Sequence, residues 1–278
     1  MKKGISFCSW IVFLVFVLFN SFQLEAQEIG LQLYSLREQF KTDVPGTLKM
    51  ISDWGIRSLE GGDSYGMPVD EFNDLLSKNN LKVVSVGASF EELRDTPRII
   101  VERAKNYGAT YVMCSWIPHP GNTFGIEETK NAVSVFNRAG KVLKENGLQL
   151  AYHAHGYEFR PYKTGTLFDY MAKNALHFNF EMDVYWVQHA GVDPLQLLKK
   201  YPLKFILMHL KDMAKGTPKD DTGHSNEETN VVLGTGEVHI AALVAAAKKL
   251  GIPYLFIEDE SSRVVNQIPR SLAFLKSL

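Results

Sequence analysis

One alternation, repeated eight times, constrains this chain more than anything else in it. Short apolar runs of strand length alternate with segments whose apolar residues recur at helical spacing. The strand-like runs are Ile29–Tyr34, Ile56–Gly61, Leu81–Ala88, Tyr111–Ile117, Leu148–His155, Phe178–Trp186, Leu203–Leu210 and Tyr254–Asp259. The helical patterns between and after them cover Val44–Trp54, Val69–Asn79, Pro97–Tyr107, Ile126–Glu145, Thr166–Lys173, Pro194–Lys200, Val238–Leu250 and Val264–Leu278. Stop signals sit where these patterns need them: Gly108, Asn146-Gly147 and Gly251 follow helices, and Asp193-Pro194 opens one.

Eight strand-then-helix units point to an α/β fold, a single-domain (β/α)8 TIM barrel. A doubly wound sheet is the competing architecture, but it calls for a glycine-rich first turn, and the first strand here runs into Ser35-Leu36-Arg37-Glu38. The longest irregular stretch, Lys211–Gly236, follows the seventh strand and is predicted to lie over the barrel mouth as a functional loop.

The amino terminus stands apart. Lys2 and Lys3 precede an apolar run, Ile11–Phe19, and Leu24-Glu25-Ala26 ends on a small residue. That is the pattern of a secretory signal peptide cut after Ala26, and it predicts export to the periplasm with no stable membrane association afterwards. Removal of residues 1–26 from the 278 leaves 252, a common size for one barrel. The remaining Cys114 cannot form an internal disulfide, so stability must come from the core. A net charge of −1 and the lack of a basic tract argue against nucleic acid as a partner.

In such barrels the chemistry sits where the strands end. The first strand offers Tyr34 and the second Glu60. The fourth ends in Ser115-Trp116, and the fifth in His153 and His155, with Glu158 just beyond. The sixth carries Glu181 and Asp183 before Tyr185-Trp186, the seventh ends His209-Leu210-Lys211, and the eighth ends Glu258-Asp259-Glu260. Each has a plain structural alternative: Asp183 as a helix cap, His209 as a core histidine, Lys211 as a surface lysine, the acidic triplet as a solvated run. Their coincidence after strongly apolar strands favours function, because unpaired charges at buried strand ends cost several kcal/mol each and need a shared partner. A divalent cation is such a partner. An oxygen-rich set with one imidazole suits Mn²⁺, with Co²⁺, Mg²⁺ and Zn²⁺ as alternatives.

The stretches GLQLYSLR (Gly30–Arg37), YHAHGYEF (Tyr152–Phe159), EMDVYWVQHAGVDP (Glu181–Pro194), HLKD (His209–Asp212), LGTGEV (Leu233–Val238) and FIEDE (Phe256–Glu260) resemble the xylose isomerase-like, or sugar phosphate isomerase/epimerase, TIM barrels. The resemblance spans Ile29–Leu278. It implies a Glu-Asp-His-Glu metal set from the fifth to eighth strands, matched by Asp183, His209 and Glu258. Histidines stand where many members carry a glutamate, so Glu158 is the first choice for the fifth-strand ligand, because it keeps the expected charge, and His155 the second. The implied chemistry is proton abstraction beside a carbonyl through an enediolate. Glu258 or Glu158 would serve as base, with His153 or His155 as partner and Lys211 donating to the oxyanion. Tyr34, Glu60, Trp116 and Trp186 would contact the sugar. An export signal and no phosphate-gripping Arg or Gly cluster indicate a non-phosphorylated sugar or keto-sugar. Elimination or hydration of a 3-keto-glycoside is the close alternative, and a non-catalytic sugar-binding barrel is another class of outcome.

Overall fold

The computed structural model describes residues 27–278; the expected signal peptide lies outside the described residues. The eight strands are β1 (Glu28–Gln32), β2 (Ser58–Gly61), β3 (Lys82–Gly87), β4 (Tyr111–Cys114), β5 (Gln149–His153), β6 (Asn179–Asp183), β7 (Phe205–Leu210) and β8 (Tyr254–Ile257). They pair in parallel in the closed order 1-8-7-6-5-4-3-2. This is the (β/α)8 barrel that the alternation predicts. The principal outer helices are α1 (Val44–Asp53), α2 (Val69–Lys78), α3 (Pro97–Tyr107), α4 (Ile126–Glu145), α5 (Leu167–Asn174), α6 (Pro194–Lys200), α7 (Ile240–Leu250) and α8 (Val264–Lys276). None of the helices among the described residues is long and apolar enough to cross a membrane.

Strand alternation divides the apolar residues into two cores. Outward side chains such as Tyr152, Phe180, Met208 and Leu255 join the layer between sheet and helices. Inward ones, Val84, Ala151, Leu207 and Phe256, plug the barrel. Gly30 makes room for that plug. A Cβ there would lie 2.6 Å from the Phe256 ring and 2.7 Å from the Ser58 carbonyl oxygen.

Several predicted strands ended too late. The expected Phe178–Trp186 strand stops at Asp183, and Val184–His189 is a helix. The expected Leu148–His155 strand stops at His153. At Asp183 the carboxylate caps the helix that follows, and beyond His153 the chain turns at Gly156 (φ 118°). A helix at Phe90–Asp95, capped by Ser89 and Glu92, is an addition that the pattern did not suggest.

The loop after β7 does reach the mouth. It is anchored by a two-residue antiparallel ladder, Asp212-Met213 against Asn230-Val231. The buried Asp212 carboxylate accepts backbone N–H bonds from Met213, Gly234, Gly236 and Val238. His224, Ser225 and Glu227 of this loop line the central cavity.

Candidate active site

The register of β5 to β8 gathers the polar residues into one layer at the mouth. His153 lies opposite Glu181, Asp183 opposite His209, and His209 opposite Phe256, two residues before Glu258. All of these sit above the apolar plug, and His153, Glu181, Asp183, His209 and Glu258 are buried.

Asp183 divides its carboxylate between two tasks. Oδ1 accepts the backbone N–H groups of Tyr185 and Trp186 at 2.8 and 3.0 Å, capping the helix that follows. Oδ2 has no hydrogen-bond partner. It points to the shared centre, 3.4 Å from His153 Nε2 and 3.9 Å from His209 Nδ1. His209 Nδ1 lies 3.2 Å from Glu258 Oε2 without forming a hydrogen bond to it. His209 Nε2, on the other side of the ring, bonds Glu60 Oε1 at 2.6 Å.

This environment sets the charges. Burial opposes a charged His209, but the carboxylates of Glu181, Glu258 and Glu60 outweigh it and raise its pKa well above the usual range. Burial, seconded by the nearby His209, lowers His153 to about 3, so it is a neutral imidazole. Burial and His153 likewise hold His155 neutral. Burial raises Asp183 to about 6. Glu258 stays a carboxylate despite burial, because Lys211 and His209 hold its pKa well down.

Lys211 is a buried cation, 1% exposed. Its Nζ lies 3.5 Å from Glu258 Oε2 and is bonded to Glu260 Oε1. It also sits 5.4 Å from each of the Tyr185 and Trp186 ring centroids. The three acids after β8 therefore do three different things. Glu258 turns inward, Glu260 holds Lys211, and Asp259 accepts from the Ser261 backbone and hydroxyl.

Two sequence expectations need correction. Glu158 is not part of this layer. The chain turns at Gly156 (φ 118°), and the carboxylate folds back behind β5, where it accepts from Tyr152 Oη and the N–H groups of His155 and Gly156. Tyr152 belongs to the outer face of its strand, so Glu158 lies on the opposite side from His153. It is thus displaced as metal ligand and base, and His153 is the fifth-strand group that faces Asp183 and His209. Glu60 is not a substrate contact either. It is fully buried beneath His209, and accepts from Gln32 Nε2 at 2.8 Å and from His209. Tyr34, Trp116, Trp186 and His155 do line the cavity, whose volume is about 460 Å³. His155 stacks on His153 at 4.5 Å and approaches both tryptophans.

Sequence reasoning noted Glu181 without giving it a role, and passed over His224. Glu181 was visible two residues before Asp183, at the spacing that puts both on one strand face. His224 sits in an irregular loop where no periodicity marks it.

The donor set fits a divalent cation. His153, Asp183 and His209 bring one ligand atom each to within 4.8 Å of one another, and all three residues are buried. Asp183 Oδ2, His209 Nδ1 and both His153 ring nitrogens lack hydrogen-bond partners. Four buried acids, Glu60, Glu181, Asp183 and Glu258, crowd this layer against two buried bases, His209 and Lys211, and burial raises the pKa of Glu181 and of Asp183. A cation held by His153, Asp183, His209 and Glu258 would satisfy both shortages. Glu60 would then orient His209 from behind.

The comparisons agree with this architecture. The family model described as "Xylose isomerase-like TIM barrel" matches residues 48–278. Among solved structures, a sugar phosphate isomerase/epimerase from Parabacteroides distasonis is 24% identical, with a TM-score of 0.75 over 91% of this chain and 99% of that one. A probable 3-DHS dehydratase from Bacillus anthracis is 12% identical, with a TM-score of 0.70 over 90% of this chain and 99% of that one. A D-allulose 3-epimerase from Methylomonas sp. is 15% identical, with a TM-score of 0.67 over 91% and 98%. No match was found among curated proteins. At these identities the solved structures share the fold alone, and the family model settles the membership: the chain belongs to the xylose isomerase-like TIM barrels.

Proposed function

We propose that this protein is a divalent-metal-dependent enzyme that removes a proton from the carbon beside a carbonyl of a non-phosphorylated sugar or keto-sugar. The observation that carries this reading is the convergence of His153, Asp183 and His209, with unpartnered ligand atoms, beside Glu258 at the C-terminal end of the barrel. When bound there, a cation (Mn²⁺ first, Co²⁺, Mg²⁺ or Zn²⁺ as alternatives) supplies Lewis acidity toward the substrate carbonyl. The chain's own residues handle the proton. His155 lines the cavity as a neutral imidazole and can accept it at a ring nitrogen. Lys211 Nζ, kept charged by Glu258 and Glu260, can donate to the developing oxyanion. Trp116 and Trp186 wall the cavity, so a sugar ring can lie against aromatic surface there.

Isomerisation or epimerisation is the general form of this chemistry. One observation favours elimination: a pair of glutamates placed to work both faces of a carbon is missing from the layer, because His153 occupies the fifth-strand position and Glu158 lies behind it. With a 3-keto-glycoside, the C2 proton passes to His155, its electrons form a C1–C2 double bond, and the C1–O bond breaks. The departing alcohol oxygen takes up a proton. We also read residues 1–26 as an export leader, which places the enzyme in the periplasm among free sugars and glycosides.

Incubation of the purified, Mn²⁺-loaded protein with free ketoses and 3-keto-glucosides in D₂O tests the reading. Deuterium at carbon with an isomeric product supports the first form, and release of the C1 alcohol supports the second. Neither uptake nor turnover, with metal bound, leaves a sugar-binding barrel without catalysis.

A further inference from the structure

The cavity above the ligand layer is not closed on every side. It shares Gln32, Tyr34, Gly61 and Gly87 with a second, wider cavity of about 700 Å³ that runs outward over β1 to β3. The candidate metal ligands lie on the β5–β8 side, and His224 and Trp186 wall that side of the first cavity. The shared seam is therefore across the mouth from the chemistry.

The seam is open because of its residues. Gly61 and Gly87 both line it; at Gly61 a Cβ would lie 2.8 Å from the Leu33 side chain, so packing already demands glycine there. At Gly87 the fold itself does not demand glycine. A Cβ would meet one protein atom within 4 Å, the Gly61 carbonyl oxygen at 3.7 Å, and the backbone is not left-handed there. The volume that a side chain would occupy belongs to the passage.

The second cavity has the chemistry of a sugar site. Tyr34 stands at the junction, 54% exposed, with the Arg37 guanidinium stacked 4.5 Å from its ring centroid. Arg37 is itself fixed by Glu227 at 2.7 Å and by the Glu260 carbonyl. Tyr65 lines the far part on a held turn: its φ is 53°, its N–H donates to Asp63 Oδ1, and its ring stacks on Phe40 at 4.0 Å. A tyrosine kept in the left-handed region is strained, and such strain collects at binding sites. Around these ring faces stand exposed planar polar groups, Asp63 and Asn106, which suit hydroxyls better than a purely apolar guest.

We propose that the second cavity is a subsite for a second sugar ring, and that the natural substrate is a disaccharide or the end of an oligosaccharide rather than a monosaccharide. Resting on the proposed reaction, this deepens it. The reacting ring lies against the β5–β8 layer, and its substituent passes over Gly61 and Gly87 to lie between Tyr34 and Tyr65.

Affinities of the Mn²⁺-loaded protein for 3-keto-glucose, 3-keto-cellobiose, 3-keto-maltose and p-nitrophenyl 3-keto-glucoside, measured by calorimetry, test the proposal. At least one disaccharide is expected to bind tenfold tighter than 3-keto-glucose. Ile99 and Asn106 are exposed on helix α3 and line the far cavity, so Ile99→Arg or Asn106→Trp can obstruct it without disturbing the core. Each is expected to lower the ratio of disaccharide to monosaccharide affinity at least tenfold. Monosaccharide binding with no gain for either disaccharide, or a ratio that both variants leave unchanged, overturns the subsite while leaving the proposed reaction standing. An aryl glucoside that outbinds both disaccharides overturns the sugar-ring assignment in favour of an apolar aglycone. Failure of all four ligands to bind overturns the subsite and the sugar reaction together.

Discussion

Asp183 shows how much one side chain can combine. Cap and ligand look like rival roles on paper, yet one oxygen caps the helix and the other is left without a hydrogen-bond partner. Substitution separates them. Asp183→Ala and Asp183→Asn are both expected to abolish metal retention in elemental analysis of the purified protein. In denaturant melts of metal-free protein, the Ala variant should be the less stable of the two by about 1 kcal/mol, the usual worth of a cap. Glu158 gives the converse case. Burial raises its pKa to about 7, from an ordinary value of 4.5. A carboxyl raised on folding contributes stability that is fully present below pH 4.5 and is lost as pH rises through 7. The span corresponds to about 3 kcal/mol at 1.36 kcal/mol per pKa unit. Glu158→Gln should flatten stability across that window, seen in thermal melts at several pH values, while metal content stays unchanged. Loss of metal in that variant would return Glu158 to the ligand set. Residue types and chain positions made Asp183, His209, Lys211 and Glu258 legible in the sequence. The error over Glu158 came from geometry that spacing does not carry: a turn at Gly156 reverses the direction of a side chain five residues past His153.

At the level of elements, the alternation read correctly because each strand and helix has its own apolar period, and Pro97–Tyr107, Ile126–Glu145 and Pro194–Lys200 match residue for residue. Strand ends read poorly because composition does not reveal where the neighbouring strand stops. The same limit hid the fold of the loop after β7, whose order depends on contacts with distant parts of the chain and on one buried carboxylate rather than on periodicity. Asp212 is buried and takes four backbone N–H bonds. Asp212→Ala would strand those donors, and a loss of about 3 kcal/mol or more in urea melts is expected, since unmet buried groups cost roughly 1–3 kcal/mol each. Limited proteolysis of that variant should cut first within Lys211–Gly236. Resistance equal to the parent protein would show that other contacts hold the loop.

The whole molecule offers its own probe. Cys114 is buried at the end of β4, and burial pushes its thiol up to about 12. A neutral, enclosed thiol reacts only when the structure opens. Iodoacetamide labelling should therefore follow unfolding of the barrel. Metal at 100 times its dissociation constant stabilises the folded state by about 2.7 kcal/mol. Where opening is in rapid equilibrium, labelling should slow about 100-fold on loading, with mass spectrometry as the readout. A rate indifferent to metal would place Cys114 in a region that opens independently of the ligand layer. The closed sheet was the most legible property of all, because eight repeats leave few ways to bury every apolar face. The two joined cavities were the least, since their seam is made by the lack of side chains.

Phe256 has one last consequence. Its ring fills the barrel axis beneath His209, at 6.2 Å between centroids, and Gly30 lets it seat there. The well above it is blind-ended. Whatever enters must leave on the mouth side, directly or over the seam at Gly61 and Gly87, so arrivals and departures share that side and nothing drains through the barrel floor.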